Sequence, residues 1–274
     1  MRQLTLRYGS PLTGRRAVVA RHRDQEGCPV PTTIRGSAER LVVAGTMAPT
    51  IHDVHAWRFK VTPELIEVHA DPARFRPMDD PSGRGLHLSC GAALVNLRLA
   101  AAQLGYAAVV RLLPDPERPA VLAAARLAGR HRVTRWERLL YAATLRPFPS
   151  NALVSFDGRG RDGVDSRPSR RVMDELAGVA KLEGTELHVL PGEESGSRRA
   201  VLTTRGDSRA EWLRAGQALQ RVLLAGTARY VSTSFMYEVV DLPEASEVLS
   251  PGDFPQVMLE FTQHSPRACV CRSY

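Results

Sequence analysis

The chain has 274 residues, 43% of them hydrophobic, enough to bury a core in one large domain or two compact halves. Its apolar runs fall short of the roughly 18 consecutive apolar residues of a membrane span, and its first residues lack a signal-peptide core, so a cytoplasmic protein with no membrane association is expected. The formal charge of +8 raises nucleic acid as a partner, but every basic residue except Lys60 and Lys181 is arginine, spread along the chain among acidic residues; that skew reads as GC-rich codon usage, and no nucleic-acid partner is expected.

Residues 1–36 hold seven arginines against Asp24 and Glu26 and read as a basic arm, poorly ordered or loosely docked. Ser37 suits the cap of a helix running to about Met47, which Pro49 stops. Arg58 to Thr62 and Leu65 to Ala70 read as a hairpin around Pro63-Glu64, with alternation that buries Phe59, Val61, Ile66 and Val68. A helix rich in Ala and Leu is expected from Ser89 to about Gly105. Its Gly91-Ala92-Ala93 permits close approach of another helix or a ligand. Val109 to Leu113 is a strand ended by Pro114. The cysteines, at 28, 90, 269 and 271, lack metal-ligand spacing, so no metal is expected. Cys90 is read as a small buried hydrophobe, with a thiolate based on His87 as the weaker alternative.

Thr134-Arg135-Trp136-Glu137 and Ser208-Arg209-Ala210-Glu211 are capping-box patterns, the second opening a helix to about Arg229. The segment from Phe156 to Pro168 is an exposed loop. Glu186 to Leu190 and Ala200 to Thr204 are strand-like, and Val257, Leu259 and Phe261 alternate along a final strand. The order of segments is α+β with a loose internal duplication, divided into the arm 1–36, a first half 37–130 and a shortened second half 131–274.

Two segments carry the functional signal: Ala48-Pro49-Thr50-Ile51-His52-Asp53-Val54-His55-Ala56-Trp57-Arg58-Phe59 and Ser89-Cys90-Gly91-Ala92-Ala93-Leu94-Val95-Asn96-Leu97-Arg98. With Leu112 to Pro116, Arg146-Pro147-Phe148, Trp212 to Leu224 and Pro255 to Leu259, they resemble, in order and spacing, the nitroreductase superfamily and more narrowly its Acg-like branch. The resemblance implies two nitroreductase-like half-units fused into a pseudo-dimer, with central antiparallel or mixed sheets flanked by helices. It also implies FMN as cofactor, NADH or NADPH as reductant and a small-molecule electron acceptor such as a nitro-aromatic or quinone. The assembly implied is a monomer with an internal pseudo-dimer, or a homodimer.

Flavin needs hydrogen-bond partners along its polar edge and cations at its phosphate. The family motif is approximately Pro-Ser-x-His-Asn-x-Gln-Pro-Trp. This chain keeps Pro49, His52 and Trp57, has Thr50 for serine, and substitutes Asp53, His55 and Ala56. Asp53 as carboxylate accepts but cannot donate, so at a flavin edge it would repel the charge that builds on reduction; alternatively it caps a turn after Pro49. His52 and His55 are turn residues or general acids near the ring. Phosphate contacts carried over from the family are Thr144, Arg146 and Arg267, the last also readable as a solvated tail residue, and Glu238 falls where the family shows Asn-Gln-Pro-x-Glu. The resemblance assigns no catalytic residue. Full-length relatives place helices and a lid where this chain has only Pro191 to Arg199. Two functions follow: an FMN-dependent NAD(P)H oxidoreductase of nitroreductase type, or a catalytically degenerate relative that binds or stores flavin, or a protein partner, without turnover.

Overall fold

In the computed structural model, residues 6–7, 18–19, 32–51, 55–62, 65–146, 166–191, 196–236 and 247–263 are described. The chain divides into two compact units, Met1–Tyr141 and Ala142–Tyr274.

In the first unit, β1 (Leu6–Arg7) pairs with β2 (Val18–Val19), and α1 spans Thr32–Thr46. Ser37 therefore falls inside α1 rather than capping it, because the residues ahead of it already continue the helical turn. The hairpin forms as expected, β3 (Trp57–Val61) against β4 (Ile66–Ala70), with Phe59 opposite Val68. Phe59, Ile66 and Val68 are buried, whereas Val61 is half-buried.

Helix α2 (Arg84–Gln103) begins five residues before Ser89. The cause is Asp80, whose buried carboxylate accepts the Gly85 and Leu86 N–H groups at 3.1 and 2.8 Å and so satisfies the first turn. Every residue of α2 except Arg84, Arg98 and Gln103 is buried. By length and composition this helix could cross a bilayer, which the short apolar runs did not lead one to expect, but 94% of its apolar window is packed inside the protein. Fully buried Leu88, Leu94 and Leu97 each contribute about 1.5–3 kcal/mol of transfer free energy.

Strand β5 (Tyr106–Leu112) is followed by β6 (Val121–Arg130), which the sequence did not announce, and the sheet order is β3-β4-β6-β5, antiparallel throughout. The dividing line between the units crosses α3 (Arg135–Thr144), whose capping box forms in full. Thr134 N donates to Glu137 Oε2 at 2.7 Å and Glu137 N to Thr134 Oγ1 at 3.1 Å.

The second unit contains α4 (Arg170–Lys181), β7 (Glu186–Val189), β8 (Arg198–Thr204), α5 (Arg209–Thr227), β9 (Val231–Met236) and β10 (Phe254–Gln263). Neither α4, capped by Ser169, nor β9 was anticipated. Ser208 caps α5 through the Glu211 N–H, while the Glu211 carboxylate pairs with Arg214 instead of closing the box. Val257, Leu259 and Phe261 are buried as expected, but Met258 on the opposite face is buried too, against Leu190 and Val201.

The sheet order here is β7-β8-β10-β9, again antiparallel. From α1 to β6 and from α4 to β10 the order is the same, a helix, two paired strands, a helix and two paired strands, and each four-stranded sheet places its third strand in sequence at the edge beyond the fourth. The loose duplication read in the sequence is a repeat of topology. The helix ends match as well: Gly105 follows α2 at φ 82°, and Tyr230 follows α5 at φ 59°, both in the left-handed region that reverses the chain into the next strand.

Candidate functional site

The two motif segments are brought together in the first unit. The Ile51 N–H donates to Ser89 Oγ at 2.8 Å, Ser89 Oγ donates to Gly85 O at 2.8 Å, and Asn96 Nδ2 donates to Ala44 O at 3.1 Å. The loop after α1 is therefore bolted onto one side of α2 through buried polar side chains whose partners are backbone groups. The small residues of α2 receive α1: a Cβ built on Gly45 would lie 3.6 Å from Ala93 O and 2.6 Å from the Phe59 ring. Of the two partners open to Gly91-Ala92-Ala93, the described residues supply the helix.

His55 ties the far end of the loop back to α1. Its Nε2 lies 3.0 Å from Thr46 O, and since a carbonyl only accepts, Nε2 carries the proton. Burial lowers the imidazole pKa below its ordinary value of 6.5, the Thr46 bond raises it in part, and the Arg74 cation lowers it again. The ring packs edge-on against Trp57 with centroids 5.1 Å apart, and Trp57 packs in the same manner on Phe59, also at 5.1 Å. With its Nε2–H committed to Thr46, His55 fits the turn role rather than that of a general acid. Trp57 is only 4% exposed, yet its indole N–H meets no acceptor among the described residues. Such a group costs about 1–3 kcal/mol unless something accepts from it.

Pro49 is half-buried and Thr50 buried on the same loop. Thr144 is buried at the end of α3, and Arg146 lies exposed just beyond it. His52, Asp53, Glu238 and Arg267 lie outside the described residues. Cys90 sits inside α2, fully buried, with its thiol pushed well above the ordinary range by desolvation. His87 Nδ1, 2.5 Å from Gly83 O, serves the helix start, so this pair does not make a thiolate.

A cavity of about 20 Å³ lies beside the loop, lined by Ile51, Ala56, Phe75, Asp80, Leu86 and Ser89. That is room for one water rather than an isoalloxazine, so a ring bound by this loop lies outside the cavity. A larger cavity, of about 220 Å³, lies in the second unit among Lys181, Thr185, Glu186, Thr204, Arg205 and Asp253, and holds none of the site residues read from the sequence. Asp80 and Ser89 were missed as positioning residues. The Asp80-Pro81-Ser82-Gly83 turn signal ahead of the apolar run could have found the first.

No family model matches the chain. It is 27% identical over 285 residues to a Mycobacterium tuberculosis (strain H37Rv) protein named "Putative NAD(P)H nitroreductase Rv3131", covering 80% of this chain and 83% of that protein. A second protein of that strain, "Uncharacterized protein Rv3127", is 24% identical over 77% of this chain and 81% of its own length. A third, "Putative NAD(P)H nitroreductase acg", is 34% identical over 98 residues, 36% of this chain and 30% of that protein. The motif resemblance and these relatives agree: the chain is nitroreductase-like and resembles the Acg branch of that superfamily.

Proposed function

We propose that this protein is an FMN-dependent NAD(P)H oxidoreductase of nitroreductase type, its two repeated units acting as an internal pseudo-dimer, and that it works in the cytoplasm on small-molecule electron acceptors. The observation that carries the proposal is the loop from Pro49 to Trp57, held at Ser89 and Thr46 and carrying a buried indole N–H that meets no acceptor among the described residues. A flavin edge, rich in carbonyl and ring-nitrogen acceptors, suits such a donor. Relatives named NAD(P)H nitroreductases, aligned over most of the chain, support the same reading.

Bound FMN would supply the two-electron carrier between NADH or NADPH and a nitro-aromatic, quinone or similar acceptor. Thr50, His52, Asp53 and Trp57 would meet the ring, with Thr144, Arg146 and Arg267 toward the phosphate and Glu238 at the second-half motif. His55 would hold the loop in place. The connection between β7 and β8, closed at its base by the Leu190 N–H to Arg199 O bond at 2.9 Å, is too short for a lid of the kind expected from the family.

The second reading, a relative that binds flavin or a protein partner without turnover, is favoured by one observation. Ahead of exposed Arg146 the chain carries Tyr141-Ala142-Ala143-Thr144-Leu145, where the family pattern has further arginines. Purified protein that is yellow and bleached by NADPH supports turnover. Yellow protein that NADPH leaves unchanged supports the second reading, and failure to take up added FMN refutes both flavin roles.

A further inference from the structure

The pleat sorts the middle of the first sheet, up to the bulge between Val68 and His69, where buried Val121 opposes His69. Trp57, Phe59, Ile66, Val68, Ala123 and Ala125 are all buried and share one face. The other face follows from the register: Arg58 opposes His69, Lys60 opposes Glu67, Glu67 and Arg111 both oppose Ala124, and Arg126 opposes Val109. Arg58, Lys60, His69, Arg111 and Arg126 therefore share a surface on which Glu67 is the one acid contributed by β3 to β6.

That acid is already spent. Glu67 is buried, with His69 Nε2 at 2.9 Å, Arg118 NH1 at 3.1 Å and Lys60 Nζ at 3.8 Å. Arg111 and Arg126 are exposed, and neither they nor half-buried Arg58 have a carboxylate partner among the described residues. Arg111 and Arg126 are diagonal neighbours across β5 and β6, a placement that typically sets such residues about 7–8 Å apart, their Cβ atoms somewhat closer. From those positions two long side chains can reach one anion between them.

We propose that this sheet face docks the phosphate backbone of a nucleic-acid duplex, without sequence preference. Guanidinium groups grip phosphodiesters bidentately, and exposed Arg111 and Arg126, with half-buried Arg58 on the same face, present three of them to a polyanion. The face offers Val109 as its exposed large apolar side chain, too little to insert into a lipid surface, and no aromatic platform for stacked bases. The proposal reverses the expectation drawn from the linear spread of arginines, because strand pairing gathers residues that are far apart in sequence.

The test is fluorescence anisotropy of the full chain with a labelled DNA duplex of arbitrary sequence across a salt series, folding of each variant being checked by circular dichroism. The native chain binds at low salt. In the Arg111→Ala/Arg126→Ala variant the slope of log K against log salt shrinks by about two, and Arg111→Lys/Arg126→Lys keeps the native slope. Arg170→Ala/Arg209→Ala, which removes two exposed charges from the second unit, leaves the slope unchanged. Absence of duplex binding at low salt, an equal loss in the Arg170/Arg209 variant, or binding to phosphatidylserine vesicles in place of the duplex would overturn the proposal.

Discussion

Ser89 is the joint between the two motif segments, and its removal gives the sharpest test of the site's construction. In Ser89→Ala the buried Ile51 N–H loses its acceptor at 2.8 Å, and the small cavity between Ile51 and position 89 offers at most one water in its place. An orphaned buried donor costs about 1–3 kcal/mol, and alanine returns a few tenths as the better helix former, so the net loss is about 1–2 kcal/mol. That energy falls on the loop from Pro49 to Trp57, because the bond inside α2 from Ser89 to Gly85 O duplicates what the helix ladder already provides. Amide exchange followed by NMR reads the effect directly: the Ile51 amide should exchange about 5–30-fold faster in the variant, while amides in the second unit keep their native rates. On the flavin reading, FMN affinity falls with it. An unchanged Ile51 rate in a folded variant would mean that the Ser89 bond does not hold the loop.

Tyr230 adopts φ 59° where the equivalent position of the first unit is glycine, so Tyr230→Gly should raise the urea midpoint by the equivalent of about 1 kcal/mol, its 55% exposure leaving little packing to lose. Burial raises the Glu67 carboxyl, but the bonds from His69 and Arg118 outweigh it and hold the group below its ordinary 4.5. A depressed acid stabilises the fold fully above that ordinary value and loses the contribution as pH falls through the folded one. Urea midpoints should therefore drop on acidification below about pH 4.5, and Glu67→Gln should flatten that limb. His55, lowered from 6.5 chiefly by burial, leaves the unfolded chain to take up its proton first; stability is intact above pH 6.5 and declines below it. An NMR titration placing the His55 ring at or above 6.5 would contradict the burial argument, and His55→Gln should remove the decline.

Much of the first half was legible because its signals are local. The hairpin of β3 and β4 announced itself by alternation, and the Thr134 box by residues three apart. The start of α2 was misplaced because its cap is supplied from Asp80, several residues upstream, rather than by Ser89. His55 could be named as a turn residue or an acid, but its acceptor, Thr46 O, came only with the folded loop. The sites read at His52, Asp53, Glu238 and Arg267 stand on the family pattern alone.

Strand β6 marks the boundary most clearly. Val121-Leu122-Ala123-Ala124-Ala125 has the composition of a helix, and alanine is a poor strand former when judged by itself. It is a strand because β4 and β5 flank it and close its backbone hydrogen bonds on both sides, and its alanines are small enough to lie under α2 without displacing it. The amino-acid order by itself determined an α+β chain with a repeated pattern and a nitroreductase-like motif, since these depend on period, spacing and residue type. The tertiary structure alone decided that the repeat is one topology used twice, that α2 anchors the motif loop, and that scattered arginines share a face. Each of these depends on contacts between segments distant in sequence, whose energies local patterns do not carry.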